Sequence, residues 1–229
     1  MTTDLNSWSD RDYRISDFCQ LATKNVLQDY WNNIPLFDGS YAIAPEVYLT
    51  KNYVVNFKKD SRPWNEIINE YLSEMTEIAL QFGGTIDKFI GDAILIFFGD
   101  PETEGTVVDA KRCLEMAIAM RKRVGELDEI WKKEKGISQG LQVRTGISTG
   151  YYTVGNFGSV QRVDYTVLGS PVNLAARLEA ACSPQEILVS PETKGLVSDL
   201  FEFEEKKPIK LKGFSDTIKP YQLIIDNEN

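Results

Sequence analysis

Apolar positions in this chain switch between two periods, and the switches mark its elements. From Trp64 to Phe82, Ile67, Tyr71, Leu72, Met75, Ile78 and Phe82 recur at helical spacing, and Gly83-Gly84 stops the run. Each such side chain stabilises a fold by roughly 1.5–3 kcal/mol when fully buried, so this helix belongs to the core. The period then shortens. In FGGTIDKFIGDAILIFFGD, residues 82–100, Thr85, Ile86, Phe89 and Ile90 precede Gly91-Asp92 and the run Ile94 to Phe98 follows, which predicts a hairpin. A second helix is predicted over 106–125, with Val107, Ala110, Cys113, Leu114, Ala117, Met120 and Val124 inward. The acidic loop DPETEG before it suits the positive end of that helix, and KKEKGISQG after it reads as a solvated connection.

Upstream, Ile15, Phe18, Ala22, Val26 and Tyr30 predict a leading helix, closed off by Pro35 and Asp38-Gly39, so residues 1–45 read as a helical extension. Residues 46–57, EVYLTKNYVVNF, have strand composition, and KKDSRP is a loop. Downstream, LQVRTGIST (141–149) alternates as a strand, with Tyr151 to Val154 hairpinned to it. Gly155, Asn156 and Gly158 form a turn, and Asp164 to Leu168 another strand. Ser170-Pro171 opens a helix with Ser170 as N-cap. That helix carries Asn173 and Arg177 on one face and buries Leu174, Ala175, Leu178 and Ala181. EILVS, a short helix from Pro191, and strands Ile209 to Lys212 and Tyr221 to Ile225 complete the chain. The order predicts an α+β fold for residues 46–229: a ferredoxin-like βαββαβ core with C-terminal additions and helices on one sheet face.

Composition narrows the chemistry. With 229 residues, 42% hydrophobic and 26% charged, the chain reads as a globular protein of one large domain. A net charge of −9 offers no favourable field to nucleic acid or an anionic membrane, so an anionic substrate requires a local basic pocket or a metal. There is no histidine, which removes His-based triads and His metal sites. Three widely spaced cysteines, Cys19, Cys113 and Cys182, form neither a disulfide framework nor a zinc pattern, and fit a reducing cytoplasm. No apolar run reaches the ~18–20 residues of a membrane span, and the polar start is not a signal peptide.

The hairpin sets Asp92 at the rim of a sheet with Lys88 close by in sequence. A carboxylate held there is a natural Mg2+ ligand, and equally it is a solvated turn residue. Taken alone, Asn173 and Arg177 read as a helix surface pair, Lys88 as a cross-strand ion pair and Thr166 as strand filler.

Three stretches change that balance. EYLSEMTEIALQFGGTIDKFIGDAILIFFGDP, RTGISTGYYTVGNFGSVQRVDYTVLGSPVNLAARLEAA and a C-terminal LKGF followed by an apolar strand resemble the class III nucleotidyl cyclase catalytic domain, in that family's order, over about residues 64–225. The resemblance implies a class III cyclase-like sandwich that works as a head-to-tail homodimer with its active sites at the subunit interface. It implies Mg2+ or Mn2+ holding a nucleoside triphosphate while the ribose 3′-oxygen attacks the α-phosphorus and pyrophosphate leaves. Such chemistry needs alignment and charge neutralisation and no histidine. Position by position, the resemblance makes Asp92 a metal ligand, Lys88 and Thr166 the base-reading pair, Asn173 the ribose-orienting residue and Arg177 the group that neutralises the α-phosphate. Lys88 and Thr166 suit adenine, hence ATP. In each dimer Asp92 would serve one site, and Lys88, Thr166, Asn173 and Arg177 of the same chain the other. Lys212 stands near the family's triphosphate-binding lysine, with Phe214 where a lysine is common.

One departure is large. The family's first strand ends in a metal-bridging Asp before an Ile-x-Gly-Phe turn, and VYLTKNYVVNFKKDSRP sets Tyr53 at that position with Asn56-Phe57 closing the turn. The nearest carboxylate is Asp60. Either Asp60 rebuilds the metal site or the chain binds metal poorly. Three functions follow: a cyclase for ATP, a guanylyl or pyrimidine cyclase, or a degenerate subunit that completes a partner's site.

Overall fold

The computed structural model describes residues 43–51, 62–136, 140–210 and 217–225, all within a compact unit spanning 41–229. Nearly all of the expected helical extension, together with Tyr53, Asn56, Asp60, Lys212 and Phe214, lies outside the described residues.

Strand β1 (Ile43–Lys51) is followed by helix α1 (Arg62–Gln81), the hairpin β2 (Thr85–Ile90) and β3 (Ala93–Phe97), helix α2 (Thr106–Lys135) and strand β4 (Val143–Tyr151). These strands lie side by side as β2-β3-β1-β4, every neighbouring pair antiparallel. That order is the ferredoxin-like core expected from the sequence. Strands β5 (Thr153–Ser159) and β6 (Arg162–Leu168) then form a separate two-stranded ribbon. Helix α3 (Ser170–Ala181) carries the chain to β7 (Ile187–Val189), which runs parallel to β4 as such a crossover allows. Helix α4 (Pro191–Val197), β8 (Phe203–Glu205), the small pair β9 (Ile209–Lys210) and β10 (Thr217–Ile218), and β11 (Tyr221–Leu223) follow; β11 and β8 extend the main sheet beyond β7.

Helix α1 buries Ile67, Tyr71, Met75 and Ala79, one per turn, while Leu72, Ile78 and Phe82 pack at the edge of the same core. Helices cover both sheet faces, not one as expected. Strand β7 shows this directly: Ile187 and Val189 join the core with α1 and α2, whereas Leu188 between them joins Leu174, Leu178 and Cys182. Successive strand side chains point to opposite faces, so α3 sits behind the sheet from α1 and α2. The cue was the unbroken apolar run of β3, whose five residues are all buried.

Further differences have local causes. Helix α2 runs on to Lys135 because Leu127 and Trp131 continue its buried stripe, and Gly136 at φ 65° caps it. Val107 is exposed on its first turn. Residues Tyr151 to Val154 do not hairpin onto β4, whose two edges are already taken by β1 and β7. Gly155, Asn156 and Gly158 instead lie within β5, opposite Thr166, Tyr165 and Val163, and the ribbon turns at Val160-Gln161. Ser170 is the first residue of α3 and Gly169 its cap, without a side-chain bond. Ala181 is exposed and Cys182 takes the buried place. Burial pushes the Cys182 thiol up to about 12, which makes it a core residue and no nucleophile.

Candidate active site

The hairpin turns where the sequence placed it. Ile90 pairs with Ala93, and Gly91 has φ 64°, the positive value that a two-residue hairpin turn requires and a side chain resists. Asp92 follows it, half-buried. Among the described residues Asp92 makes no salt bridge. Its charge is nevertheless felt inside: burial chiefly, and Asp92 in addition, raise the proton affinity of the Tyr71 hydroxyl on α1 and of Glu179 on α3. Glu179 is pushed up to about 7, burial outweighing the Arg144 guanidinium 2.7 Å away.

Four residues earlier the strand is irregular. The pairing of β2 with β3 slips between Ile86 and Lys88, a bulge that breaks the alternation of faces. Asp87 and Lys88 therefore both reach β6. Lys88 Nζ donates to Thr166 Oγ1 at 2.9 Å and lies 3.1 Å from Asp87 Oδ1. Thr166 Oγ1 donates to Asp87 Oδ2 at 2.6 Å, and the Val167 N–H donates to the same oxygen at 3.0 Å. Thr166 is buried, Lys88 is exposed, and the Asp87 side chain is wholly covered. The two residues expected to read a base, 78 positions apart in sequence, are thus in contact.

Helix α3 places the next pair. Its backbone lies so close on β4 that a Cβ at Gly146 would stand 2.2 Å from the Ala175 carbonyl and 2.4 Å from the Glu179 nitrogen. Asn173 is exposed, its Nδ2 donating to the Gly169 carbonyl at 3.4 Å. Arg177, one turn on, is half-buried and has no salt bridge among the described residues. Asp60 and Lys212 lie outside the described residues.

The described carboxylates fit a cation in one way. No group of three acidic or cysteine side chains stands together among the described residues, so no all-protein cage forms there. Asp92, unpaired at a strand end, suits Mg2+, which takes one or two carboxylates and completes its shell with water and phosphate. Asp87 is the residue that sequence reasoning missed. Its signal was a carboxylate inside an apolar strand, IDKF, where a solvated acid has no place.

Comparison with known proteins matches the chain to a family and its fold to solved structures. The family described as "Adenylate and Guanylate cyclase catalytic domain" matches residues 55–225. The adenylyl cyclase CyaB from P. aeruginosa has a crystal structure 41% identical to this chain, with a TM-score of 0.78, covering 81% of this chain and 95% of that one. The guanylyl cyclase Cya2 structure is 28% identical, TM-score 0.70, over 80% of this chain and 94% of that one. An adenylate cyclase of Anabaena cylindrica is 29% identical over 163 residues, which is 68% of this chain and 31% of that protein. The chain spans less than a third of the length of the curated cyclases it matches at the head of that comparison. Among the described residues no helix is long and apolar enough to cross a membrane.

Proposed function

The chain belongs to the adenylate and guanylate cyclase catalytic-domain family, and from that premise we propose that it converts ATP to 3′,5′-cyclic AMP and pyrophosphate at the interface of a head-to-tail homodimer. The observation that carries the reading is the contact between Lys88 and Thr166. An ammonium and a hydroxyl held together beside an exposed rim supply the polar pair that an adenine edge requires. Similarity to adenylyl cyclases supports the same choice.

In this reading Asn173 orients the ribose and Arg177 faces the α-phosphate, where negative charge develops as the 3′-oxygen bonds to phosphorus and the bond to the β-phosphate breaks. The 3′-hydroxyl proton leaves to water. Asp92, and Asp60 with it, would hold Mg2+ or Mn2+, and Lys212 the triphosphate. The divalent cation supplies charge neutralisation to the phosphates when bound. A dimer accounts for the β5–β6 ribbon. Two-stranded ribbons are marginal alone in water, and this one exposes Val160, Val163 and Tyr165 beside Phe89 and Ile90 of the hairpin. A second copy covering these side chains removes that apolar surface from solvent.

The test is a product assay with ATP, GTP, CTP and UTP on purified protein, with Mg2+ and with Mn2+. Cyclic AMP and pyrophosphate from ATP are expected. Absence of turnover with every nucleotide and either metal would sink the proposal. Tyr53 at the family's metal-bridging position favours a second reading, a subunit that binds nucleotide and completes the site of an active partner. Activity that appears only on mixing with a competent cyclase would select it.

A further inference from the structure

We propose that Asp87 sets which nucleobases the site accepts, by fixing the direction of the Thr166 hydroxyl; this rests on the base-reading role given above to Lys88 and Thr166. Asp87 lies mid-strand with a side chain that is 0% exposed. A buried carboxylate is costly to the fold unless it is matched, and what matches this one is the base-reading pair itself together with the Val167 N–H.

The donor inventory fixes each direction. A lysine ammonium only donates, so Thr166 Oγ1 accepts from Lys88 at 2.9 Å. A carboxylate only accepts, so the single hydroxyl proton of Thr166 points at Asp87 Oδ2, 2.6 Å away. The backbone N–H of Val167 holds that same oxygen at 3.0 Å, so the carboxylate cannot turn away. What Thr166 has left for a ligand is a lone pair. Lys88 stands 3.1 Å from Asp87 Oδ1, yet that oxygen has no aligned hydrogen bond among the described residues. The ammonium therefore keeps a donor to turn outward.

The pair so polarised offers a donor next to an acceptor. Adenine answers with N1 as acceptor next to an amino group, and cytosine with N3 next to an amino group. Guanine and uracil present the reverse at both positions, a ring N–H next to a carbonyl. Asp87 makes this choice without touching the base, as a positioning residue. Asp87→Ala removes the acceptor and frees the hydroxyl proton to face a carbonyl, whereas Asp87→Asn would keep its amide oxygen on the Val167 N–H and leave the hydroxyl where it is.

The experiment measures kcat/KM for the four triphosphates on the wild type, Asp87→Ala and Thr166→Ser, with mant-ATP and mant-GTP affinities and melting temperatures alongside. The wild type should prefer amino-bearing over carbonyl-bearing bases by at least about tenfold, the scale of one hydrogen bond made or opposed. Asp87→Ala should lower the ATP-to-GTP ratio about tenfold, and Thr166→Ser, which keeps the hydroxyl, should preserve it. A wild type that takes GTP or UTP as readily as ATP overturns the inference even if Asp87→Ala does not fold. So does an unchanged ratio in a folded Asp87→Ala. Absence of turnover combined with a mant-ATP preference that Asp87→Ala erases would overturn the proposed catalysis and uphold the role of Asp87. Equal binding of both mant-nucleotides by the wild type would overturn the inference whether or not there is turnover.

Discussion

Glu179 and Arg144 show how far one buried pair can tie stability to pH. Their contact is 2.7 Å, with both side chains mostly covered. Burial still outweighs the guanidinium and pushes the Glu179 carboxyl up to about 7 from 4.5, with the Asp92 charge adding to the shift. The folded state therefore holds a proton that the unfolded chain releases. Stability from this group is full below pH 4.5 and is lost as pH rises through about 7. In metal-free protein the melting temperature should fall across that window. Glu179→Gln, which cannot ionise, should flatten the slope while remaining folded at low pH, and an unchanged slope in the variant would refute the account.

At the scale of elements, the seat of α3 depends on the absence of a single side chain. Gly146→Ala would drive a methyl into the Ala175 carbonyl and the Glu179 nitrogen. Backbone atoms of a packed helix cannot step aside as a flexible side chain does. The substitution should cost about 3 kcal/mol or more, a fall of about 6–12 °C in melting temperature for a chain of this size. Gly125→Ala is the contrasting case. It lies inside α2 with nothing within 4 Å of the added methyl, so it should stabilise by about 0.5–1 kcal/mol through helix propensity alone. Thermal unfolding of the two variants should move in opposite directions. These positions also mark what sequence could reveal. Helix α1 and the β2–β3 hairpin were legible because their apolar periods and glycine punctuation are local. The Gly146 approach was not, since it depends on a helix that arrives from about thirty residues further on, the gap to Ala175 and Glu179. The pairing of β5 with β6 is local, but Gly155, Asn156 and Gly158 read as a turn and hid the strand. The contact of Lys88 with Thr166 was legible only through family resemblance, because the bulge that aims Asp87 and Lys88 together leaves no local signature in IDKF.

At the scale of the molecule, two charged residues of the candidate site, each without a salt bridge among the described residues, lie on different elements. Asp92 sits at the hairpin turn, and Arg177 on α3. If each active site joins Asp92 of one copy to Arg177 of the other, two inactive variants should repair each other. Asp92→Ala should abolish turnover in the homodimer, and Arg177→Ala should depress it strongly without dissociating the dimer. In a mixed dimer one site inherits both lesions and the other neither. Equal amounts, exchanged to equilibrium, place about half of the chains in mixed dimers with one intact site of two. The mixture should recover about a quarter of wild-type activity per dimer. Sites built within a single chain would give no recovery, because each copy would keep its own lesion. Each copy carries a net charge of −9, so exchange is best run near 0.15 M salt, where repulsion beyond about 8 Å is screened. Substituting Val163→Asp on the exposed ribbon supplies the control. If that surface closes the dimer, the charged variant should be monomeric by sedimentation, and should abolish the recovered activity when it is built into both partners.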